Sequence, residues 1–270
     1  MSDADKDERY LVPGLMRGIE ILRLFNRSRP LLTAPVIAKE LGIPRTTVFR
    51  LAQTLEHLGL LERVDGGNSY RLALGVLSLG FEYLAALDIV QIAGPFLEKL
   101  RDQIDLSVHL VLRDHRHVVV VHKAAGHSAF AGSLSIGARL PAHATVLGRV
   151  MLADLDEDEI RALYPNGAGL EAHSRQTPTD LDRLLSILAE DRKRGFAISD
   201  RFFESGISAL ALPLRDASGR AVAAFNVSVP SGGLKTIDTE MIERARATAE
   251  DISRALNYSP ATGRRQGDAA

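Results

Sequence analysis

The strongest chemical signal in the sequence is a short polar and basic helix face that begins near residue 45. At about 100° per residue, Thr46, Arg50 and Gln53 point to one side of this helix. The opposite side carries the apolar residues Val48, Leu51, Ala52 and Leu55. This face offers a hydroxyl, a guanidinium and an amide. These groups can form hydrogen bonds with base edges and phosphates, as the side chains of a recognition helix do. An ordinary amphipathic hairpin with a solvated polar face would give the same pattern.

Two helices joined by a tight turn position that face. Thr33 is an N-cap residue followed by Pro35 in the first turn, and Gly42 ends the first of the two helices. The second helix begins after Pro44. An earlier helix is predicted to pack under the pair through Leu15, Ile19, Leu22 and Phe25.

A β-hairpin follows the third helix. The sequence Asp65-Gly66-Gly67-Asn68 supplies the turn, because Gly and Asn tolerate positive φ, and Val64 and residues 70–74 flank it as strands. Three helices and a two-stranded wing form a winged helix-turn-helix over residues 10–74, which favours DNA binding over the solvated hairpin. We expect DNA contacts from Arg45, Thr46, Thr47, Arg50, Asn68 and Arg71, and we expect Thr33 to cap its helix and donate to a phosphate.

Composition and charge limit the other possibilities. The chain has 270 residues, 46% of them hydrophobic and 25% charged, which predicts two well-packed domains. Its net charge is −1, yet residues 10–75 carry nine basic against five acidic side chains, a local net of +4 that suits DNA. There is no cysteine, no apolar signal core and no run as long as a membrane span, so we expect a cytoplasmic protein without membrane contact.

The second half of the chain alternates strands and helices. Residues 75–87 and 89–101 are predicted to form two connector helices, the second interrupted at Gly94-Pro95; alternatively, the first belongs to one of the two cores. Consecutive hairpins with helices elsewhere then predict an antiparallel α+β domain. We expect strands at residues 106–112, 118–124, 129–135, 196–199, 207–215 and 221–229, and helices at residues 145–155, 157–164, 181–193 and 238–256.

Two groups of polar residues in this half could bind ligands. Asn226 and Ser228 alternate with apolar residues, so both side chains face one side of a strand, either toward a ligand or toward solvent. A histidine-rich stretch could hold a metal, although imidazoles near a hairpin turn are commonly just solvated. Its members are His109, His115, His117, His122 and His127. No nucleophile elbow, Walker loop or His-Glu-x-x-His motif occurs, so we expect no catalytic residue, cofactor or metal.

Taken together, these segments resemble the IclR family of bacterial transcriptional regulators. GLMRGIEILRLF, TAPVIAKELGIPRTTVFRLAQTLEHLGLLER and YRLALGVLSLG are similar to its DNA-binding domain. IGARLPAHATVLGRVMLA, RGFAISDRFFESGISALALPLRD and GRAVAAFNVSVP are similar to its GAF-like effector domain, here residues 102–257. Within the family, LSIGARLPAHATVLGRVMLA and VAAFNVSVP most resemble the branch that regulates aromatic-acid and β-ketoadipate catabolism.

The resemblance implies an effector site between the sheet and the segment after LPAHAT. Position by position, it implies effector contacts from Val146, Leu147, Asp200, Ala209, Asn226 and Ser228. His143 and Thr145 open a helix whose free N–H groups attract anions, although Thr145 could be only an N-cap. Arg139 could supply a counter-charge or be an ordinary exposed arginine.

The implied function is that of a regulator without catalytic activity. A homodimer or a tetramer, formed as a dimer of dimers, would bind a pseudo-palindromic operator, and a small organic acid, aromatic or dicarboxylic, would alter occupancy. The alternative is an enzyme acting on a metabolite, with the N-terminal part serving only in dimerisation.

Overall fold

The chain folds as two units, residues 1–86 and 87–270. A computed structural model describes residues 10–26, 28–64, 67–126, 134–200, 207–230 and 237–259. The first unit contains the helices predicted for the helix-turn-helix, and the second contains an antiparallel sheet with its covering helices.

Three helices and a small sheet make up the first unit. Helices α1 (Pro13–Arg23), α2 (Ala34–Leu41) and α3 (Arg45–His57) enclose a core whose fully buried members include Ile21, Ile37, Val48 and Ala52. Gly42 ends α2 at φ 61°, a left-handed conformation that glycine adopts without steric cost. The predicted inner face of α3 is confirmed, with Val48, Ala52 and Leu55 buried and Leu51 half-buried.

The wing has three strands instead of the two that were predicted. Strands β2 (Leu61–Val64) and β3 (Ser69–Leu72) form the hairpin, and the short strand β1 (Leu32–Thr33) adds to its other edge, where Thr33 pairs with Ser69. Asp65 and Gly66 of the predicted turn lie outside the described residues. Strand β1 ties the start of α2 to the wing.

The predicted inner face of α1 is partly wrong. Ile21 and Phe25 are buried, but Leu15 is 66% exposed and Ile19 is 39% exposed. Both faces of this helix carry apolar residues, so spacing alone does not say which face meets the core. Leu15 and Ile19 therefore belong to an apolar surface of the first unit.

The two helices predicted as connectors differ in burial and in the unit to which they belong. Helix α4 (Gly75–Ala85) buries no residue, so the alternative that it belongs to a core is wrong. Helix α5 (Asp88–Ile104) runs through Gly94-Pro95 without interruption and packs against the sheet, as part of the second unit. No single helix in the described ranges is long and apolar enough to cross a membrane; α4 and α5 reach that length and composition only as a bent pair.

A six-stranded antiparallel sheet organises the second unit. Its strands are β4 (Ser107–Asp114), β5 (His117–Ala124), β6 (Arg139–Pro141), β7 (Ala197–Asp200), β8 (Ile207–Arg215) and β9 (Ala221–Pro230). They lie in the order β6-β5-β4-β9-β8-β7, which makes β4 and β9 central neighbours. The strand predicted at 129–135 falls mostly outside the described residues, and the edge strand is β6.

Helices cover both faces of this sheet. On one face lie α5 and α9 (Thr239–Ala255). On the other lies α6 (Val146–Leu152), against which α8 (Leu181–Arg194) packs; α7 (Glu157–Leu163) lies between them in sequence. We call the side covered by α6 the inner face. Its core includes Val111, Val120, Ala211 and Ala224.

Candidate functional site

The first candidate site is the exposed face of α3. Arg45, Thr46, Phe49 and Arg50 are exposed there and Thr47 is half-buried. Neither Arg45 nor Arg50 forms an ion pair with any residue in the described part of the chain. Both guanidinium groups can therefore meet phosphate or a base edge without first breaking a salt bridge.

Other arginines of the first unit are engaged within it. Arg29 pairs with Glu40 at 3.0 Å and Arg63 pairs with Glu56 at 3.1 Å. The Arg63 guanidinium also lies over the rings of Phe49 and Tyr70, 5.8 and 5.3 Å from their centroids. Arg63 thus joins the wing to the recognition helix, and α3 keeps two arginines for an external partner.

Three residues of the wing and of strand β1 were also predicted to contact DNA. Asn68 is exposed, and its main-chain carbonyl accepts a hydrogen bond from the Ala34 N–H at 3.3 Å. Arg71 is exposed and pairs with Glu62 of the neighbouring strand. Thr33 stands at the N-cap position of α2, but the expectation that its side chain caps the helix is wrong, since it accepts no N–H there. Its proposed contact with a phosphate stays a prediction.

The second candidate site is a row of buried polar groups on the inner face. Asn226 is only 3% exposed, and its Nδ2 donates to Ser228 Oγ at 2.9 Å. On β4, Ser107 pairs in register with Ser228 and is buried as well. The alternative that Asn226 and Ser228 form a solvated outer face is therefore wrong, because α6 packs on this strand, Asn226 is buried and Ser228 is half-buried.

His109 belongs to this row and was missed as a binding residue. It pairs in register with Asn226, is fully buried, and its Nδ1 lies 3.2 Å from Asn226 Oδ1. Burial lowers its pKa to about 4, and the positive charge of Lys123 acts in the same direction. Its Nε2 has no hydrogen-bond partner among the described residues. Strand alternation puts His109 on one face, but only the β4–β9 register brings it to Asn226.

An apolar wall adjoins this row. Val146 and Leu147 of α6 and Ala209 of β8 are buried in one cluster. Ala209 pairs in register with Ser228, so the wall reaches the polar row. Asp200 ends β7 opposite Ser208, and its side chain lies outside what the structure describes.

The remaining predicted effector contacts have other partners. His143 Nε2 lies 2.9 Å from the Glu171 carbonyl, and burial lowers the pKa of this ring. Thr145 is the N-cap of α6: its Oγ1 accepts the Gly148 N–H at 3.1 Å and donates to the Pro141 carbonyl at 3.3 Å. Arg139, on the edge strand β6, pairs with Asp114 and lowers the pKa of that carboxyl to about 2. The structure therefore does not bring Arg139 to the polar row.

The histidine-rich stretch does not converge. His109 faces the inner side, whereas His122, in register with Leu110, faces α5, where a Cβ on Gly94 would lie 3.6 Å from the His122 ring. His115 and His117 lie at the β4–β5 turn beside Asp114, and His127 is outside the described residues. No group of three or more histidine or acidic side chains within the described ranges is arranged to hold a metal ion.

Comparison with known proteins identifies the family of both units. Residues 14–65 match the IclR helix-turn-helix domain, and residues 81–254 match the C-terminal domain of bacterial transcriptional regulators of the IclR type. The chain belongs to the IclR family of transcriptional regulators, which confirms the resemblance found in the sequence.

Two relatives extend over most of the chain. The Pca regulon regulatory protein of Pseudomonas putida is 31% identical over 227 residues, covering 84% of this chain and 77% of that protein. The transcriptional regulator XynR of Escherichia coli strain K12 is 30% identical over 251 residues, covering 92% of this chain and 98% of that protein. The relatives are transcriptional regulators and not enzymes, which contradicts the enzyme alternative.

Solved structures show the same architecture. A candidate transcriptional regulator from Rhodococcus sp. RHA1 superimposes with a TM-score of 0.79 at 32% identity, covering 92% of this chain and 99% of that one. An IclR homolog from Microbacterium hydrocarbonoxydans was solved with 4-hydroxybenzoate bound. It superimposes with a TM-score of 0.78 at 25% identity, covering 91% of this chain and 100% of that one.

Proposed function

We propose that this regulator reads an operator with the exposed face of α3 and that a small organic acid, bound on the inner face of the sheet, sets its occupancy. The observation that carries the DNA-binding half is the pair Arg45 and Arg50, both exposed and without ion pairs in the described part of the chain. Thr46 and Thr47 would add hydroxyl contacts, and Asn68, Arg71 and Thr33 would hold the backbone beside the groove. Acting on chromosomal DNA would place the protein in the cytoplasm.

We further propose that the protein acts as a homodimer, or as a tetramer of two such dimers. On α4, the side chains of Leu77, Leu79, Phe81 and Tyr83 are between 63% and 68% exposed. Leu77 and Phe81 share one side of the helix and Leu79 and Tyr83 share another. An exposed apolar surface of this kind is typical of protein interfaces. A second copy of the chain would cover it, and the two-fold symmetry would match a pseudo-palindromic operator.

The effector class we favour is an aromatic carboxylic acid. Asn226 and Ser228 offer amide and hydroxyl groups, while Val146, Leu147 and Ala209 supply an apolar wall for a ring. The homolog from Microbacterium hydrocarbonoxydans holds 4-hydroxybenzoate. This likeness supports an aromatic acid over the dicarboxylic acids.

Titration of DNA from beside the protein's own gene tests the DNA-binding half. A protein that neutralises several phosphates loses affinity steeply as salt rises, with log Kd rising linearly with log salt. We expect such a slope with operator DNA and weaker binding to scrambled DNA of equal length. Equal affinity for both DNAs, or no dependence on salt, would contradict operator recognition.

A further inference from the structure

A buried ring nitrogen on the inner face lacks a hydrogen-bond partner among the described residues. His109 Nε2 makes no hydrogen bond within the described residues, although the ring is fully buried. Leaving a buried polar atom unpaired destabilises the fold, so such an atom in a folded protein calls for an explanation. The other side of the same ring is bound to Asn226, one of the residues proposed to contact the effector.

The hydrogen bonds around Asn226 determine which ring nitrogen carries the proton. Asn226 donates through Nδ2 to Ser228 Oγ, which leaves its Oδ1 facing His109 Nδ1 at 3.2 Å. An amide oxygen only accepts, so the proton of the neutral ring is on Nδ1. Nε2 then carries a lone pair and needs a donor.

We infer that His109 is a specificity-determining residue of the effector site, which accepts through Nε2 a hydrogen bond from a hydroxyl group of the ligand. The ligand class would then be hydroxylated carboxylic acids, and the corresponding acids without the hydroxyl would bind weakly. This inference rests on the proposed function, because it assigns the effector to the face that carries Asn226 and Ser228.

A carboxylate is the wrong partner for this nitrogen. It has no proton to donate, so it could bind Nε2 only if the ring became charged. The ring resists a charge: burial lowers the pKa of His109 to about 4, and Lys123, its register partner on β5, adds a positive charge on the same face. Lys123 Nζ, which also donates to the Leu134 carbonyl at 3.1 Å, is better placed to attract the acid group.

Calorimetric titration of the full-length protein with matched acids tests the inference. The pairs are 4-hydroxybenzoate with benzoate, 3-hydroxybenzoate with benzoate, and lactate with propionate. We expect at least one hydroxylated acid to bind about tenfold or more tightly than its partner, because a site built for a hydroxyl discriminates strongly against its absence.

Two variants separate this effect from a change in folding. His109→Asn keeps an amide N–H near the position of Nδ1 and removes Nε2, so it should abolish the preference by weakening the hydroxylated acid alone. His122→Asn is the matched control, since His122 faces α5 on the opposite side of the sheet and should keep the wild-type preference. If His109→Asn does not fold, His109→Gln, which offers an acceptor oxygen farther along the side chain, should keep part of the preference.

The outcomes distinguish this inference from the proposed function. Equal binding of both acids in every pair, or an unchanged preference in His109→Asn, would overturn the hydroxyl contact and leave the effector site standing. Binding of none of the acids would overturn both the inference and the proposed effector class, while DNA recognition is decided by the operator titration. Nitrogen NMR of the ligand-free protein adds a direct check, because a proton on Nε2 of His109 would contradict the inference.

Discussion

His109 Nδ1 and Asn226 Oδ1 lie 3.2 Å apart, although the two residues are 117 positions apart in the sequence. The contact joins the central strands β4 and β9 through their side chains, on the face covered by α6. It places a neutral imidazole beside the amide and hydroxyl proposed to bind the effector. The ligand site therefore depends on the register between these two strands.

Stability should fall as the pH drops from 7 to 5, in part because of His109. The folded-state pKa of His109 is about 4 and its unfolded value is 6.5, so below pH 6.5 the unfolded chain takes up a proton that the folded protein does not. At about 1.4 kcal/mol per pKa unit, this residue alone should cost about 2 kcal/mol between pH 7 and pH 5.

Urea unfolding of the wild type and of His109→Asn at both pH values measures this contribution. The wild type should lose about 2 kcal/mol more than the variant over this interval, since asparagine does not titrate. Equal losses in the two proteins would show that His109 is not held neutral in the folded state.

The buried ion pair of Arg149 and Asp191 should be sensitive to the loss of one partner. Arg149 on α6 binds both oxygens of Asp191 on α8 at 2.7 Å, and neither side chain is more than 4% exposed. Asp191→Asn removes the carboxylate charge that faces the buried arginine, so we expect a loss of about 3 to 5 kcal/mol in the free energy of unfolding.

The matched control is the exposed pair of Arg161 and Glu157 on α7. Glu157→Gln should cost less than about 0.5 kcal/mol, because such i,i+4 pairs are solvated and screened. Similar losses in the two variants would mean that burial does not set the importance of the Arg149 pair.

The exposed apolar side chains of α4 should hold two copies together. Phe81→Glu places a charge among exposed apolar side chains, so we expect the dimer to dissociate while the helical content of the protein stays constant. Ser78→Glu adds the same charge to α4, beside Glu82 on the polar side of the helix, and should keep the dimer. Light scattering measures the mass of each species, and a wild-type mass of one chain would exclude the proposed dimer.

Arg50→Ala should weaken operator binding by roughly 1 to 3 kcal/mol, or about tenfold to a hundredfold. The Arg50 guanidinium is exposed on the outward face of α3 and forms no ion pair within the described ranges, so its loss removes a contact made only with DNA. Gel-shift titration at fixed salt measures the change. Arg175→Ala, an exposed arginine in the second unit, is the charge-matched control and should have no comparable effect.

Local patterns predict much of the first unit. The N-cap position of Thr33, the left-handed Gly42 and the core face of α3 all follow from residue type and helical spacing, which act within a few residues. The exposed Leu15 and Ile19 do not follow from them, since an apolar face looks the same whether it meets its own core or a second molecule. Likewise, Pro95 was expected to break α5, but packing against the sheet outweighs the local cost.

Sequence patterns predict only part of the proposed effector site. Alternation puts Asn226 and Ser228 on one face, where Asn226 is buried and Ser228 is half-buried. It does not reveal which strand lies beside them, so His109 was considered only as a possible metal ligand. Nor does it reveal that the strand of Arg139 is the sheet edge, where Arg139 pairs with Asp114.

Operator affinity measured with and without effector tests whether the inner face of the sheet controls DNA binding. The assay is fluorescence anisotropy of labelled operator DNA with the wild type and with Asn226→Ala, in the presence and absence of 4-hydroxybenzoate. Coupling between two sites is typically worth a factor of about 5 to 150 in affinity. We expect a change of that size in the Kd of the wild type. Asn226→Ala should keep the ligand-free Kd but show no change when the acid is added. A wild-type Kd unaffected by the acid, or a variant that responds fully, would contradict effector control from this site.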